Sequence, residues 1–411
     1  MKGVPILKIL KEFPILKMKN KILKKLNWYK MSILLIFLTA FTLMVYTSFW
    51  SIILKGYSSV LFQQNINTQK VLNDTKKELE ELKNQDQIKI NEELKEKVKN
   101  VEDTYDNAVS SYESLLELKE RTGKTEILDE LFTEAIVLLS EQNYENASEK
   151  LSELNKLIKS EEEKIIASFS IPQNLPVSNN PPGSGYSRQT VNTDIGSFMV
   201  SLIAADLSNT KVLVDTASDN NCSNDCPVLP LSEYVSRNAA FAGINGSYFC
   251  PATYPSCAGK TNTFDLLVMN HKKTYFNSDN NVYSNNPAAI FGDGYIRFVS
   301  AASQWGRDTS PTGVLSNYPL LVFNNEITFG GDDDPKKGSK GARSFVANKG
   351  NTVYIGVVHN ATVAESARVM KALQMENALN LDNGGSTALW SGGYKVGPGR
   401  NLPNVILFVR K

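Results

Sequence analysis

Residues 343–359 read RSFVANKGNTVYIGVVH. Two apolar, β-branched runs flank the cluster Asn348-Lys349-Gly350-Asn351. Asn and Gly accept the backbone that a tight turn demands, so the spacing predicts a β-hairpin. The same grammar repeats outward: SFMVSLIAADL (197–207), KVLVDTA (211–217), AFAGINGSYF (240–249), FDLLVMN (264–270), AAIFGDGYIRFVS (288–300), YPLLVFNNEITF (318–329), NALNLD (377–382) and NVILFVR (404–410). Two helical patterns interrupt it. One opens at Pro230 (PLSEYVSRNAA); the other is TVAESARVMKALQMEN (362–377), where Thr362 and Glu365 have capping-box spacing. Residues 188–411 therefore read as an α+β domain, a mixed and largely antiparallel sheet with a few packed helices, long enough for a full core.

The rest of the 411-residue chain has a different character. The net charge of +1 averages over distinct blocks: residues 1–30 hold nine Lys and one Glu, whereas residues 70–167 hold fifteen Lys or Arg against twenty-five Asp or Glu. Residues 31–54, MSILLIFLTAFTLMVYTSFWSIIL, carry no charge. Roughly 20 apolar residues span a bilayer as a helix. The run is longer than a signal-peptide core and no small-residue cleavage site follows, so it reads as a retained transmembrane anchor in contact with lipid. The Lys-rich flank predicts a single-pass protein with residues 1–30 as a cytoplasmic tail and everything after Leu54 outside the cell membrane. That flank serves orientation, and no nucleic-acid partner is expected.

Residues 60–167 contain one Gly and no Pro. Leu94, Val98, Val101, Tyr105, Ala108, Tyr112 and Leu115 alternate steps of four and three, the seam of a heptad repeat. The RTGKT break (121–125) precedes two further apolar sets. An all-α helical hairpin or coiled-coil stalk is expected, a spacer with self-association through the coiled region as the alternative. Residues 168–187 are rich in Pro, Gly, Ser and Asn and read as a linker. All four cysteines follow the apolar run: Cys222, Cys226, Cys250 and Cys257. Two local disulfides are favoured, in an oxidising compartment, with a four-thiolate zinc site as the rival reading.

With only two histidines, His271 and His359, a His-based metal cluster is nearly excluded; no metal or cofactor is called for. No Gly-x-Ser-x-Gly elbow or P-loop occurs. Any chemistry must use carboxylates, Arg, Asn, Ser and backbone. Three Gly-bearing clusters sit at strand ends: GINGSYF (243–249), GARSF (341–345) and ALNLDNGGSTALW (378–390). Asn245 offers donor and acceptor, Arg343 a planar fork for phosphate or carboxylate, and Gly384 with Gly385 backbone N–H groups for an anion. Asp382 has the chemistry of a base, a nucleophile or an orienting group. The run DDDPKK (332–337) reads as a solvated loop.

Together NGSYF, RSFVA, NLDNGGSTAL and the closing RNLPNVILFV resemble the phosphodiester glycosidase domain family, which includes the N-acetylglucosamine-1-phosphodiester alpha-N-acetylglucosaminidase ("uncovering enzyme") type. The resemblance covers residues 190–411. It implies a pocket of Asn245, Arg343, Asp382, Gly384, Gly385 and Ser386, with Arg400 and Asn404 beside them. It also implies a sugar-phosphate substrate cleaved at the sugar C1–O bond. In that scheme Asp382 stabilises an oxocarbenium-like cation or activates water, and Arg343, with Arg400, holds the phosphate. His359, after the strand TVYIGVV, is a further candidate acid or base. Two departures stand out: Asn383-Gly384-Gly385 replaces the family's three glycines, and Arg343-Ser344-Phe345-Val346-Ala347 replaces Arg-Thr-Ala-x-Gly. They motivate the alternative of a non-catalytic glycan-binding module.

Overall fold

The computed structural model describes residues 14–83, 86–278, 284–306, 308 and 310–411. Positions 1–13 of the expected basic tail lie outside the described residues. The chain forms two compact units, residues 1–98 and residues 99–411.

The first unit holds helix α1 (Pro14–Lys83) and the start of α2 (Asp86–Lys119). Residues 31–54 lie within α1 and their side chains are exposed almost throughout, among them Phe37, Leu43 and Ile52. Among the described residues this is the one helix long and apolar enough to cross a membrane.

In the second unit, residues 99–119 of α2 pack with α3 (Glu126–Ser140) and α4 (Tyr144–Ser168). Leu115, Leu118, Leu131, Leu139, Leu151 and Leu154 form its centre, each buried. The break at Gly123 separates α2 from α3, and Asn143 caps α4 by accepting a bond from the Asn146 N–H. The heptad seam is thus split. Leu94, Val98 and Tyr105 are exposed, whereas Ala108 and Leu115 are buried against α3 and α4.

The following strands are β1 (Gly185–Thr193), β2 (Gly196–Asp206), β3 (Thr210–Thr216), β4 (Ala242–Asn245), β5 (Val268–Met269) and β6 (Tyr275–Phe276). Next come β7 (Ala288–Gly292), β8 (Tyr295–Val299), β9 (Gly313–Ser316), β10 (Leu320–Phe323) and β11 (Glu326–Ile327). The chain closes with β12 (Gly341–Lys349), β13 (Thr352–Ala361), β14 (Asn377–Asn380), β15 (Leu389–Ser391), β16 (Tyr394–Val396) and β17 (Asn404–Arg410). The expected hairpin is β12–β13, paired from Lys349↔Thr352 to Arg343↔Val358 around Gly350.

Among the described residues these form three antiparallel sheets, with strand orders β1-β2-β13-β12-β14-β10-β11, β16-β15-β4-β17-β3 and β6-β5-β9-β7-β8. Strand side chains alternate between faces, so strands that are apolar on both faces must be covered twice. β17 shows this. Ile406 and Phe408 enter the core shared by all three sheets, while Val405 and Leu407 pack under α5 (Leu231–Arg237) with Tyr234 and Val235. On the seven-stranded sheet, Val346 joins the shared core, and Phe345 and Ala347 face the helix Val363–Ala372. That helix opens with the expected capping box, Thr362 with Glu365. The cysteines form the two local disulfides, Cys222–Cys226 and Cys250–Cys257. In the acidic run, Lys337 pairs with Asp332 and Asp334, and Asp334 caps the turn Pro335–Gly338.

Leu151 is fully buried at the centre of the three helices. Leu151→Ala should cost about 2–5 kcal/mol. Hydrogen exchange should then accelerate across residues 126–158 and leave β12 and β13 protected; unchanged exchange in the helices would refute this packing.

Candidate active site

The polar strand ends of two sheets meet at one place. β4 delivers Asn245, which is fully buried. Its Nδ2 donates to the Asp382 carbonyl (2.7 Å), while its Oδ1 accepts from Ser344 Oγ (2.9 Å) and the Ala388 N–H (3.1 Å). One amide therefore ties β4 to the start of β12 and to both sides of the turn after β14. The Asp382 N–H completes the tie by donating to the Gly246 carbonyl (2.9 Å). Asn404, at the start of β17, accepts from the Ser247 N–H (2.8 Å) and fixes the turn that follows Asn245.

Asp382 follows β14 and is only partly open to solvent. Its Oδ1 accepts from the Asn383 N–H (2.9 Å). Burial pushes its carboxyl up to about 7, against the opposing pull of the Ser386 hydroxyl, Arg400 and the Asn383 N–H. Asp265 adds like-charge repulsion in the same direction. A carboxyl that titrates near neutrality inside a recess suits proton transfer.

The glycines after it differ. Gly384 has φ +61, left-handed backbone that favours glycine. At Gly385 a Cβ would meet the Glu120 carboxylate, the movable end of a flexible side chain. The Arg400 N–H donates to the Gly385 carbonyl (2.8 Å), so the loop carrying Arg400 folds onto this turn. Burial works to lower the pKa of the Arg400 guanidinium, but Glu120, Tyr254 and Asp382 outweigh it and raise the value.

Arg343 is buried near the recess, but its fork is committed to backbone. Nε donates to the Ala361 carbonyl (2.9 Å) and Nη2 to the carbonyls of Lys336 (3.0 Å) and Ser339. It anchors the turn Pro335–Gly338, and the guanidinium whose charge acts on Asp382 is that of Arg400. His359 stands apart from this group. Its Nε2 bonds Ser201 Oγ on β2 (3.0 Å), and burial, helped by Arg188, lowers its pKa to about 4. The structure thus brings together Asn245, Asp382, Gly384, Gly385, Ser386, Arg400 and Asn404.

Several participants escaped the sequence reading. Tyr248 receives bonds from Asn380 (2.7 Å) and Asn383 (3.5 Å), and burial, then the Asp382 charge, raise its pKa. Asn317 accepts from the Tyr248 N–H and donates to the Asn380 carbonyl. Tyr248 belongs to the quoted NGSYF, so the signal was present. Asn383, one of the departures from the family pattern, accepts from the Ser344 N–H (2.9 Å) and donates to Asn380 Oδ1 (3.2 Å), bridging two strands as no glycine could. Glu120, which donates nothing and accepts from Arg400 Nη2 (2.6 Å), lies 280 residues away in another charge block, and no motif marks it. Among the described residues no cluster of three or more His, Cys, Asp or Glu side chains could hold a metal ion.

Residues 238–409 match the family model described as phosphodiester glycosidase. Among solved structures, the zebrafish N-acetylglucosamine-1-phosphodiester alpha-N-acetylglucosaminidase catalytic domain, auto-inhibited by its pro-peptide, is similar at 16% identity and TM-score 0.44, over 58% of this chain and 87% of that one. A hypothetical protein from Synechocystis is similar at 13% identity and TM-score 0.39, over 55% of this chain; this chain spans 62% of that protein's length. A putative exported protein from Burkholderia pseudomallei is similar at 11% identity and TM-score 0.34, over 52% of this chain and 74% of that one. No curated protein matches the sequence.

Two outcomes follow from these bonds. Asn245→Ala would leave the buried Ser344 hydroxyl and Ala388 N–H without their acceptor, at about 1–3 kcal/mol for each group; a denaturant midpoint equal to that of the parent would contradict the clamp. For Asp382 the folded pKa lies above the unfolded value, so stability falls as pH rises from about 4 to about 7. Asp382→Asn should therefore raise the melting temperature by a few degrees at pH 8 and by much less at pH 5, read by parallel thermal melts.

Proposed function

We propose, from the premise that residues 238–409 are a phosphodiester glycosidase domain, that the Asp382 recess hydrolyses a sugar 1-phosphodiester at the bond between sugar C1 and the phosphate oxygen. The observation that carries this reading is one turn that holds both groups: Asp382, whose carboxyl burial raises to about 7, and, three residues on, the Gly385 carbonyl that accepts from the Arg400 N–H.

The chemistry suits that pair. As the C1–O bond breaks, positive charge develops at C1 and negative charge on the departing phosphate. Ionised Asp382 stabilises the first and takes a proton from the water whose oxygen bonds to C1. Arg400 stabilises the second. The leaving group is a phosphate monoester with a second pKa of about 6, so it departs without being protonated. A single working carboxylate is then enough, where a glycosidase with an alcohol leaving group needs two. Asn245, Asn404 and Arg343 act through position: they hold the turns that carry Asp382 and border the recess.

The same proposal sets the domain outside the cell membrane on the anchor in α1, with the Lys-rich flank inside. Two disulfides in the C-terminal domain support an oxidising compartment. Envelope glycans joined through phosphodiesters would then be within reach.

In this scheme only the ionised form of Asp382 works. For a sugar 1-phosphodiester with a methyl aglycone, kcat/KM should climb with pH and level off above about 7. Asp382→Asn should lower kcat by about a hundredfold or more and abolish the rise. A rate that falls through neutrality, or a fully active Asp382→Asn variant, would refute the role.

A further inference from the structure

One helix of the second unit reaches into the recess. Glu113 and Glu117 share one face of α2, and Glu120, the residue after its last, continues the same spacing. The whole face meets the β domain. Glu113 accepts from the Ser256 hydroxyl and from its N–H (3.2 Å). Glu117 accepts from the Tyr254 hydroxyl (2.7 Å). Lys336 stands 3.6 Å from both carboxylates, and its ammonium lies over the Tyr254 ring. Glu120 goes deepest. One carboxylate oxygen accepts from Arg400 Nη2 (2.6 Å), and the other lies against Gly385 where a Cβ would sit.

We propose that Glu120 is a tethered stand-in for the substrate's phosphodiester, so that α2 works as a releasable plug of the recess. The inference rests on the glycosidase reading above, in which Arg400 holds the phosphate. A carboxylate and a phosphodiester are both monoanions that offer two oxygens to a planar guanidinium. Glu120 occupies the position on Arg400 and over Gly385 that a phosphodiester needs, so the two exclude each other.

The docking face is built for release. It meets the β domain through ion pairs and hydrogen bonds, while the three helices keep an apolar core of their own, from Ala108 to Ile165. A polar contact of this kind is weakened by salt and loses little apolar burial when it opens. Because the plug is tethered, it competes at high effective concentration although each bond is weak.

The test uses the full chain in detergent micelles, titrated with dimethyl phosphate, a phosphodiester monoanion without sugar, and assayed with the methyl sugar 1-phosphodiester. Glu120→Ala should bind dimethyl phosphate at least tenfold more tightly than the parent, and Glu120→Gln should shift in the same direction. The double variant Glu113→Gln/Glu117→Gln, which leaves Arg400 untouched, should also bind more tightly by loosening the docked face. Hydrolysis should accelerate in all three, chiefly through a lower KM. Tighter binding with no sugar release in any form supports the plug and sinks the glycosidase reading instead. Dimethyl phosphate affinity unchanged in all variants overturns the plug, as does loss of hydrolysis in Glu120→Gln with binding retained, since Glu120 would then serve the chemistry.

Discussion

Everything at the recess depends on the Asn245 side chain being wholly spent inside the protein. Its amide reaches the Asp382 carbonyl, the Ser344 hydroxyl and the Ala388 N–H, which belong to segments far apart in sequence. An amide offers donors and an acceptor on two separate atoms, and a fully buried one is stable only when both are matched. That requirement sets the spacing between the end of β4, the start of β12 and the turn after β14. The same spacing leaves Asp382 half-buried, and the loss of hydration is what moves its carboxyl to about 7. Stability is given up at this one position to hold a group whose proton can move near neutrality.

The polar contacts around the recess fall into two sets with different permanence. Those among Asn245, Asn317, Asn380, Asn383, Asn404 and Tyr248 are neutral, internal and mutually supporting. Those from the end of α2 and Glu120 to the β domain are made by carboxylates, with Ser256 and Tyr254 as neutral partners and Lys336 and Arg400 as charged ones, and Arg400 and Glu120 keep 18% and 36% of their side-chain surface exposed. The first set builds a rigid wall. The second joins two bodies that each have their own apolar core, and such seams open more readily than cores do. On the proposed reading, the recess is made by one set and guarded by the other.

Much of this was legible in the sequence because it is local. The β12–β13 hairpin announces itself through Asn348-Lys349-Gly350-Asn351 between two apolar runs, the capping box at Thr362 through its spacing, and the disulfides through closely set cysteines. Asp382, Gly384 and Gly385 stood out because an acidic residue and two glycines interrupt an apolar stretch. What stayed hidden is what depends on distance in the chain. Arg343 reads as a phosphate fork, yet its Nε and Nη2 donate to the Ala361, Lys336 and Ser339 carbonyls, and nothing in GARSF signals that. His359 reads as the residue after a strand, but it lies within β13, where its Nε2 bonds Ser201 on β2. Glu120 looks like one more charge on a solvated helix until α2 is set beside Arg400. The heptad spacing also does not say which of its positions are covered: Leu94 and Val98 are exposed, whereas Ala108 and Leu115 are buried against α3 and α4.

The account turns on which bond breaks at Asp382. Hydrolysis of a sugar 1-phosphodiester by the full chain in water labelled with heavy oxygen, followed by mass spectrometry of both products, answers this directly. Attack at C1 places the label in the anomeric hydroxyl of the released sugar and leaves the phosphate monoester unlabelled, which is the predicted result. Label in the phosphate would mean attack at phosphorus and would contradict the roles given to Asp382 and Arg400.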